Sequence, residues 1–95
     1  MELSLIEQLR QLKPEITDRY KVKMIGVFGS YARSEQTAGS DIDLLVDFAD
    51  DADLFDLVGL NLYLEDRLQQ KVDIVPRKAL RAELRATILA QVIPL

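Results

Sequence analysis

The chain has 95 residues, of which 48% are hydrophobic and 29% are charged, a balance typical of one compact soluble domain. It contains no Cys and no His, which excludes thiolate catalysis, imidazole base catalysis and zinc bound by either residue. Any metal must therefore be bound by oxygen atoms, as Mg²⁺, Mn²⁺ and Ca²⁺ are. The 16 acidic and 12 basic residues give a net charge of −4, which argues against broad electrostatic binding to nucleic acid.

Near its start the chain has the pattern of a short amphipathic helix. Apolar residues recur at helical spacing, and Pro14 follows soon after the last of them. These apolar residues are Leu5, Ile6, Leu9 and Leu12. The first residues include an acid and no basic segment, and no apolar run approaches the ~20 residues that a membrane span needs. We therefore expect a cytoplasmic protein.

The middle of the chain predicts two strands separated by turn and loop residues. Val22–Phe28 is rich in strand-forming residues and ends at a Gly-Ser pair, after which a short helix is expected from Tyr31. Residues 37–40, Thr-Ala-Gly-Ser, have the composition of a loop. The second strand is expected over Asp41–Phe48.

The second half of the chain continues the alternation of helices and strands. A run of acidic residues precedes a helix expected over Leu54–Leu68 and suits its N-terminus. A third strand is expected over Lys71–Val75, stopped by Pro76, and a last helix over Leu80–Val92. The order α-β-α-β-α-β-α predicts a single α/β (α+β) domain over residues 1–95, with a small mixed sheet flanked by helices.

Asp41 and Asp43 form the first candidate for a chemical site. Alternate residues of a strand share a face, so both carboxylates point one way while Ile42 and Leu44 point into the core. Two carboxylates on one face repel each other unless a positive charge lies between them, and a divalent cation is the usual solution. The alternative is a solvated strand edge with two acids of no function.

Gly29 and Ser30 lie between the first strand and the expected helix. Gly lets the backbone approach a ligand closely, N–H groups at a helix start face an anion, and a Ser hydroxyl can bond a phosphate oxygen. A plain turn with an N-cap is the alternative. The combination of strand, Gly-Ser, ten residues, Asp-X-Asp and strand is much more specific, and it indicates a phosphate and metal site.

Asp73 is a candidate for a third acid of the same site. Val72 and Ile74 flank it within the third strand, so Asp73 projects from the face opposite to theirs. An acid among strand-forming residues is costly if it is buried without a partner, and a neighbouring metal would neutralise it. The alternative is an exposed acid on an edge strand.

Two segments resemble a known family signature: residues 29–33, Gly-Ser-Tyr-Ala-Arg, and residues 40–46, Ser-Asp-Ile-Asp-Leu-Leu-Val. They are similar to the DNA-polymerase-β-like nucleotidyltransferase superfamily, and within it to the minimal nucleotidyltransferase (MNT) group, the antitoxin partners of HEPN toxins. The family often has Gly where this chain has Ser34. The resemblance implies a polymerase-β-like nucleotidyltransferase fold. The catalytic, Mg²⁺-binding residues that it implies are Asp41, Asp43 and Asp73, with two ions expected, and the nucleotide-binding residues are Gly29, Ser30, Arg33 and Ser40.

The resemblance also implies a function. It predicts a protein adenylyltransferase that transfers AMP from ATP to a tyrosine hydroxyl of a HEPN-domain toxin and so acts as its antitoxin. The chain has no residues left for an acceptor-binding domain, so the acceptor is expected on a protein partner in a hetero-oligomer. Two alternatives stay open: a small-molecule nucleotidyltransferase of the aminoglycoside type, and a non-catalytic antitoxin that acts by binding. No membrane and no direct nucleic-acid binding is expected.

The predicted helix over Leu54–Leu68 has more apolar surface than one helix face needs. Either this helix is enclosed within the domain or part of it meets another protein chain. The residues that decide between these outcomes are Leu54, Phe55, Val58 and Leu62.

Overall fold

The computed structural model describes residues 4–37 and 39–95, so Ala38 of the expected loop lies outside the described residues. These residues form three α-helices, four strands and one short 3₁₀ turn after the third strand, and the first two strands follow each other with no helix between them. The elements are α1 Leu5–Tyr20, β1 Val22–Phe28, β2 Ile42–Phe48, α2 Leu54–Leu68, β3 Val72–Pro76, the 3₁₀ turn Arg77–Ala79, α3 Ala82–Gln91 and β4 Ile93–Pro94.

The four strands form one mixed sheet in the order β3-β2-β1-β4. β1 pairs antiparallel with both β2 and β4, whereas β2 pairs parallel with β3. The parallel pair is connected through α2, because parallel neighbours need a crossover. The predicted small mixed sheet with flanking helices is therefore confirmed.

The hydrophobic core lies between one face of the sheet and the helices α1 and α2. α1 contributes Leu9 and Ile16, and α2 contributes Leu60 and Leu64, all fully buried. The buried strand residues that complete this core are Val22, Ile25, Val27, Ile42, Leu44, Val46 and Val72. The core fixes which face of each strand packs against α1 and α2, and the opposite face of β2 carries Asp43 together with the buried Leu45.

The N-terminus of α2 is held by a reciprocal capping arrangement. The side chain of Asp53 accepts a hydrogen bond from the Asp56 N–H at 3.2 Å, and the Asp56 side chain accepts one from the Asp53 N–H at 3.0 Å. Both acids also lie at the positive end of the helix dipole. A cap of this kind contributes about 1 kcal/mol, so it sets where α2 begins.

α2 is also joined to the outer edge of β3 by two side chains. Asn61 Nδ2 donates to the Val72 carbonyl at 2.8 Å, and the Val72 N–H donates to Glu65 Oε2 at 3.0 Å. Both backbone groups of Val72 are therefore satisfied, although no further strand lies beside β3 in the part of the chain that the structure describes.

The first helix does not end near Pro14 as its position suggests, but continues to Tyr20. A proline inside a helix costs about 3 kcal/mol. Burial of Leu9 before it and Ile16 after it offsets this, since each fully buried side chain of this size contributes about 1.5–3 kcal/mol. Tertiary packing thus overrides the local signal.

The prediction of a short helix from Tyr31 is wrong, because residues 29–34 form a turn. The Arg33 N–H donates to the Gly29 carbonyl at 3.1 Å, which closes one helix-like loop. Ser34 then adopts a φ of 57°, in the left-handed region, and helix propagation stops there. Ser34 occupies the position where the family often has Gly, which adopts this conformation without strain.

The last third of the chain differs from expectation at its boundaries. Pro76 is the final residue of β3 rather than its stop, and the last helix spans Ala82–Gln91 rather than Leu80–Val92. None of the α3 side chains is buried. The two-residue strand β4 was not predicted; it pairs with Gly26 and Val27 of β1. No helix in residues 4–37 and 39–95 is long and apolar enough to cross a membrane.

Candidate functional site

The structure brings Asp43 and Asp73 side by side on the sheet. They are register partners in the parallel pair of β2 and β3, so their side chains share a face. Their neighbours Ile42 and Val72 are also partners, and both are buried in the core on the other side. Asp41 lies two residues before Asp43, just ahead of β2, and is exposed.

The negative charges of these three acids act on one another. The pKa of the Asp43 carboxyl is raised above its ordinary value, first by partial burial and then by the charges of Asp73 and Asp41. The Arg33 guanidinium opposes this rise in pKa. The site therefore concentrates negative charge where a bound cation would relieve the repulsion.

Gly29 brings the turn after β1 into contact with Asp43. Its φ is 75°, a conformation that side chains rarely adopt. A Cβ at this position would overlap Asp43 Oδ2 and lie 3.1 Å from Asp43 Cγ. Only a residue without a side chain leaves room for the carboxylate, so the close approach expected at Gly29 is made to Asp43.

Ser30 and Arg33 lie in the same turn. The Ser30 carbonyl accepts a hydrogen bond from the Glu35 N–H at 2.9 Å, while its hydroxyl has no protein partner within the described residues. Arg33 donates from Nε to Glu35 Oε2 at 3.1 Å and from Nη1 to Gln91 Oε1 of α3 at 3.3 Å. The turn therefore presents one unpaired hydroxyl and one exposed cation close to the acids.

The Ser40 hydroxyl is engaged within the loop that leads to β2. It accepts a hydrogen bond from the Thr37 N–H at 2.8 Å and lies 3.3 Å from the Thr37 hydroxyl. The Ser40 N–H in turn donates to the Thr37 carbonyl at 3.0 Å. These bonds order the loop immediately before Asp41, so Ser40 has a local structural role in addition to the predicted nucleotide contact.

The carboxylates of Asp41, Asp43 and Asp73 suit a hard divalent cation. Within residues 4–37 and 39–95, no three acidic side chains converge into a closed metal-ligating cluster. The donor chemistry nevertheless fits Mg²⁺, which takes one or two protein carboxylates and completes its shell with water and substrate phosphate. The pKa of Asp43 is raised first by partial burial and then by the charges of Asp73 and Asp41, and a bound cation would oppose both effects.

Two features of the site are absent from the sequence-based prediction. The Tyr31 hydroxyl donates to Gln70 Oε1 at 2.6 Å and so ties the turn to the segment before β3; no local pattern signals a contact across 39 positions. A groove of about 230 Å³ also runs between α2 and β3 and reaches one of the acids. It is lined by Leu57, Val58, Asn61, Leu62, Asp73 and Ile74.

Comparison with known proteins identifies relatives over most of the chain. The family model described as a nucleotidyltransferase domain matches residues 9–93. Protein adenylyltransferase MntA from Thermococcus cleftensis is 41% identical over 81 residues, which cover 85% of this chain and 82% of that protein. A solved structure described provisionally as a minimal nucleotidyltransferase has a TM-score of 0.87 and 38% identity, covering 100% of this chain and 97% of the other. A toxin–antitoxin structure with AMP-PNP has a TM-score of 0.77 and 26% identity, and the match covers 96% of this chain and 72% of the other.

Proposed function

The chain belongs to the nucleotidyltransferase domain family, and from that membership we propose that it transfers AMP from ATP to a tyrosine hydroxyl of a HEPN-domain toxin. Residues 1–95 would form one minimal nucleotidyltransferase domain acting as the antitoxin. The observation that carries the proposal is the parallel register of Asp43 with Asp73, next to a turn whose Gly29 leaves room for the Asp43 carboxylate.

The turn after β1 supplies the groups that would receive the nucleotide. Gly29 keeps the backbone free of a side chain, and the Ser30 hydroxyl has no partner in the described part of the chain. Arg33 adds a positive charge that already acts on Asp43. We infer that these groups bind the triphosphate, with Ser40 ordering the adjoining loop. The similarity to a toxin–antitoxin structure with AMP-PNP, an analogue of ATP, supports this role.

Asp41, Asp43 and Asp73 are the residues that would hold Mg²⁺, as one or two ions. When bound, Mg²⁺ neutralises the triphosphate and the charge that develops at the α-phosphate. Asp73 is exposed and contributes to the lining of the groove beside α2, and from this we infer that it accepts the proton of an acceptor hydroxyl. The tyrosine oxygen would then form a bond to the α-phosphorus as the bond to the leaving pyrophosphate breaks.

A protein acceptor fits the surface of the molecule. Four large apolar side chains of α2 are exposed, which is the outcome expected if this helix meets another chain. The name of protein adenylyltransferase MntA, which is similar to this chain over 82% of its own length, also supports a protein acceptor.

The experiment is to purify the chain with the product of the neighbouring gene, which the proposal expects to be a HEPN-domain protein, add ATP and Mg²⁺, and measure the intact mass of both proteins. We expect the HEPN protein to gain the mass of AMP, and the gain to disappear when its acceptor tyrosine is changed to Phe. Asp41→Asn combined with Asp43→Asn should abolish the mass gain and leave the circular dichroism spectrum unchanged.

Two results would replace the proposal by its alternatives. Transfer of label from ATP to an aminoglycoside, with none to the HEPN protein, would make the chain a small-molecule nucleotidyltransferase. If a variant carrying Asp41→Asn, Asp43→Asn and Asp73→Asn fully neutralised the toxin, the chain would be an antitoxin that acts by binding alone.

A further inference from the structure

One side of α2 is apolar and open to solvent. Leu54, Phe55, Val58 and Leu62 are 69%, 86%, 46% and 61% exposed. They are separated by one, three and four positions, so they form a continuous surface, which we call the outer face of α2. A monomeric domain rarely exposes four large apolar side chains together unless they take part in binding.

The outer face of α2 continues into the groove of about 230 Å³ beside β3. Val58 and Leu62 belong to both surfaces, and Ile74 and Asp73 form the opposite wall of the groove. An apolar surface outside the domain is thus connected to one of the three acids of the site.

The outer edge of β3 has an unused backbone hydrogen-bonding position along this groove. The Ile42 N–H donates to the Lys71 carbonyl, so the backbone carbonyl of Lys71 faces β2. By alternation along the strand, the backbone groups of Val72, Ile74 and Pro76 face away from β2. The outward groups of Val72 are bound by α2 side chains, and Pro76 has no N–H. Within the described residues, the N–H and carbonyl of Ile74 have no partner.

The charge around the groove indicates what kind of segment would fit. Asp53, Asp66 and Asp73 are exposed around the outer face and the groove, and Arg67 is the one basic residue within α2. The whole chain carries a net charge of −4. Charge complementarity favours an extended polypeptide segment that carries large apolar side chains flanked by basic residues.

We propose that the acceptor segment of the partner protein docks as a short extended strand on the edge of β3. Its backbone pairs with the N–H and carbonyl of Ile74, and an apolar side chain fills the groove beside Val58 and Leu62. A strand added at this edge lies about 4.8 Å from β3, which brings its hydroxyl-bearing neighbour to Asp73, one residue before Ile74. The proposal rests on the proposed function, because it assumes that the acceptor is a protein.

The first test measures binding of the HEPN protein to variants of the outer face by isothermal titration calorimetry. Val58→Asp and Leu62→Asp should each weaken the complex at least tenfold, because they place a charge in an apolar contact. The matched control is Leu84→Asp, which introduces the same charge at a leucine of α3 that is 49% exposed. It should change the affinity less than twofold, and all three variants should keep the wild-type circular dichroism spectrum.

The second test follows backbone amide hydrogen exchange by NMR in the free chain and in the complex. The Ile74 amide should exchange rapidly in the free chain and at least tenfold more slowly in the complex. The Val72 amide, already bonded to Glu65, provides an internal control with a smaller change. Unchanged exchange at Ile74, or wild-type affinity of Leu62→Asp, would overturn the docking proposal.

The two tests separate failure of docking from failure of the proposed chemistry. A complex that protects Ile74 but transfers no AMP supports the docking site and refutes the adenylyltransferase function. Transfer of AMP to a partner that leaves Ile74 unprotected refutes the docking site and supports the function. Absence of any complex overturns the docking proposal directly.

Discussion

Gly29→Ala is the substitution that most directly tests how the turn and the acids depend on each other. The new methyl group would enter at a φ of 75° and overlap Asp43 Oδ2. It would also lie 3.1 Å from Asp43 Cγ and 3.2 Å from Asp43 Cβ, so the whole Asp43 side chain has to move, and not only its tip. We therefore expect losses of both stability and transfer.

The size of the stability loss follows from three contributions. A left-handed conformation costs a residue with a side chain about 1–2 kcal/mol. Crowding by an added methyl group in a tight site costs about 1–3 kcal/mol. The smaller conformational entropy of unfolded Ala returns about 0.4–1 kcal/mol. The net loss is about 1–4.6 kcal/mol, which lowers Tm by at least about 4 °C in a domain of this size.

Urea denaturation and the rate of AMP transfer to the HEPN protein are the measurements. Transfer should fall by about 100-fold if the Asp43 carboxylate is displaced by roughly 1 Å. Gly39→Ala is the matched control: apart from its chain neighbours, no described atom lies within 4 Å of the added methyl group, and Gly39 is not among the described residues with positive φ. We expect its stability to remain within about 0.5 kcal/mol of wild type. If Gly29→Ala matched this control in both stability and rate, the inferred contact with Asp43 would be refuted.

Further predictions concern stability. The pKa of Asp43 is raised in the folded chain, so the stability of the metal-free protein should fall as the pH rises from 3.8, the ordinary pKa of an Asp carboxyl, through the folded pKa. Asp43→Asn should remove this fall from a plot of the urea midpoint against pH. An unchanged plot would contradict the assignment to Asp43. Asn61→Ala should cost about 1–2 kcal/mol in urea denaturation, because it leaves the Val72 carbonyl without its partner. Ser34→Gly should be neutral or stabilising by up to about 1 kcal/mol, since it relieves a φ of 57°; a loss of stability would argue against that backbone conformation.

The parts of the fold that were predictable depend on local patterns. Val22–Phe28 and Leu54–Leu68 have the expected bounds, because strand-forming composition and an acidic helix start are encoded within each segment. It was likewise predictable from local patterns that the Asp43 and Asp73 side chains lie on the same face of the sheet. Alternation along each strand is local, and only their register depends on the fold. The roles of the seven predicted site residues stay predictions until transfer is measured.

The features that could not be predicted depend on contacts between distant residues. β4 has two residues and exists because it pairs with β1, about 67 positions earlier in the chain. Helix α1 continues through Pro14 because of burial against the sheet, and the turn at Tyr31 is held by Gln70. A window of neighbouring residues contains none of this information.

The edge of β3 also has a consequence for the behaviour of the chain in concentrated solution. An open strand edge usually invites identical copies to align and grow into aggregates. Here side chains of α2 are hydrogen-bonded to the backbone N–H and carbonyl of Val72, and Pro76 has no backbone N–H to donate. Two copies therefore cannot form a continuous ladder of backbone hydrogen bonds along this edge. A single pairing position is too short to start fibril growth. We therefore expect that copies of the isolated chain do not aggregate through this edge.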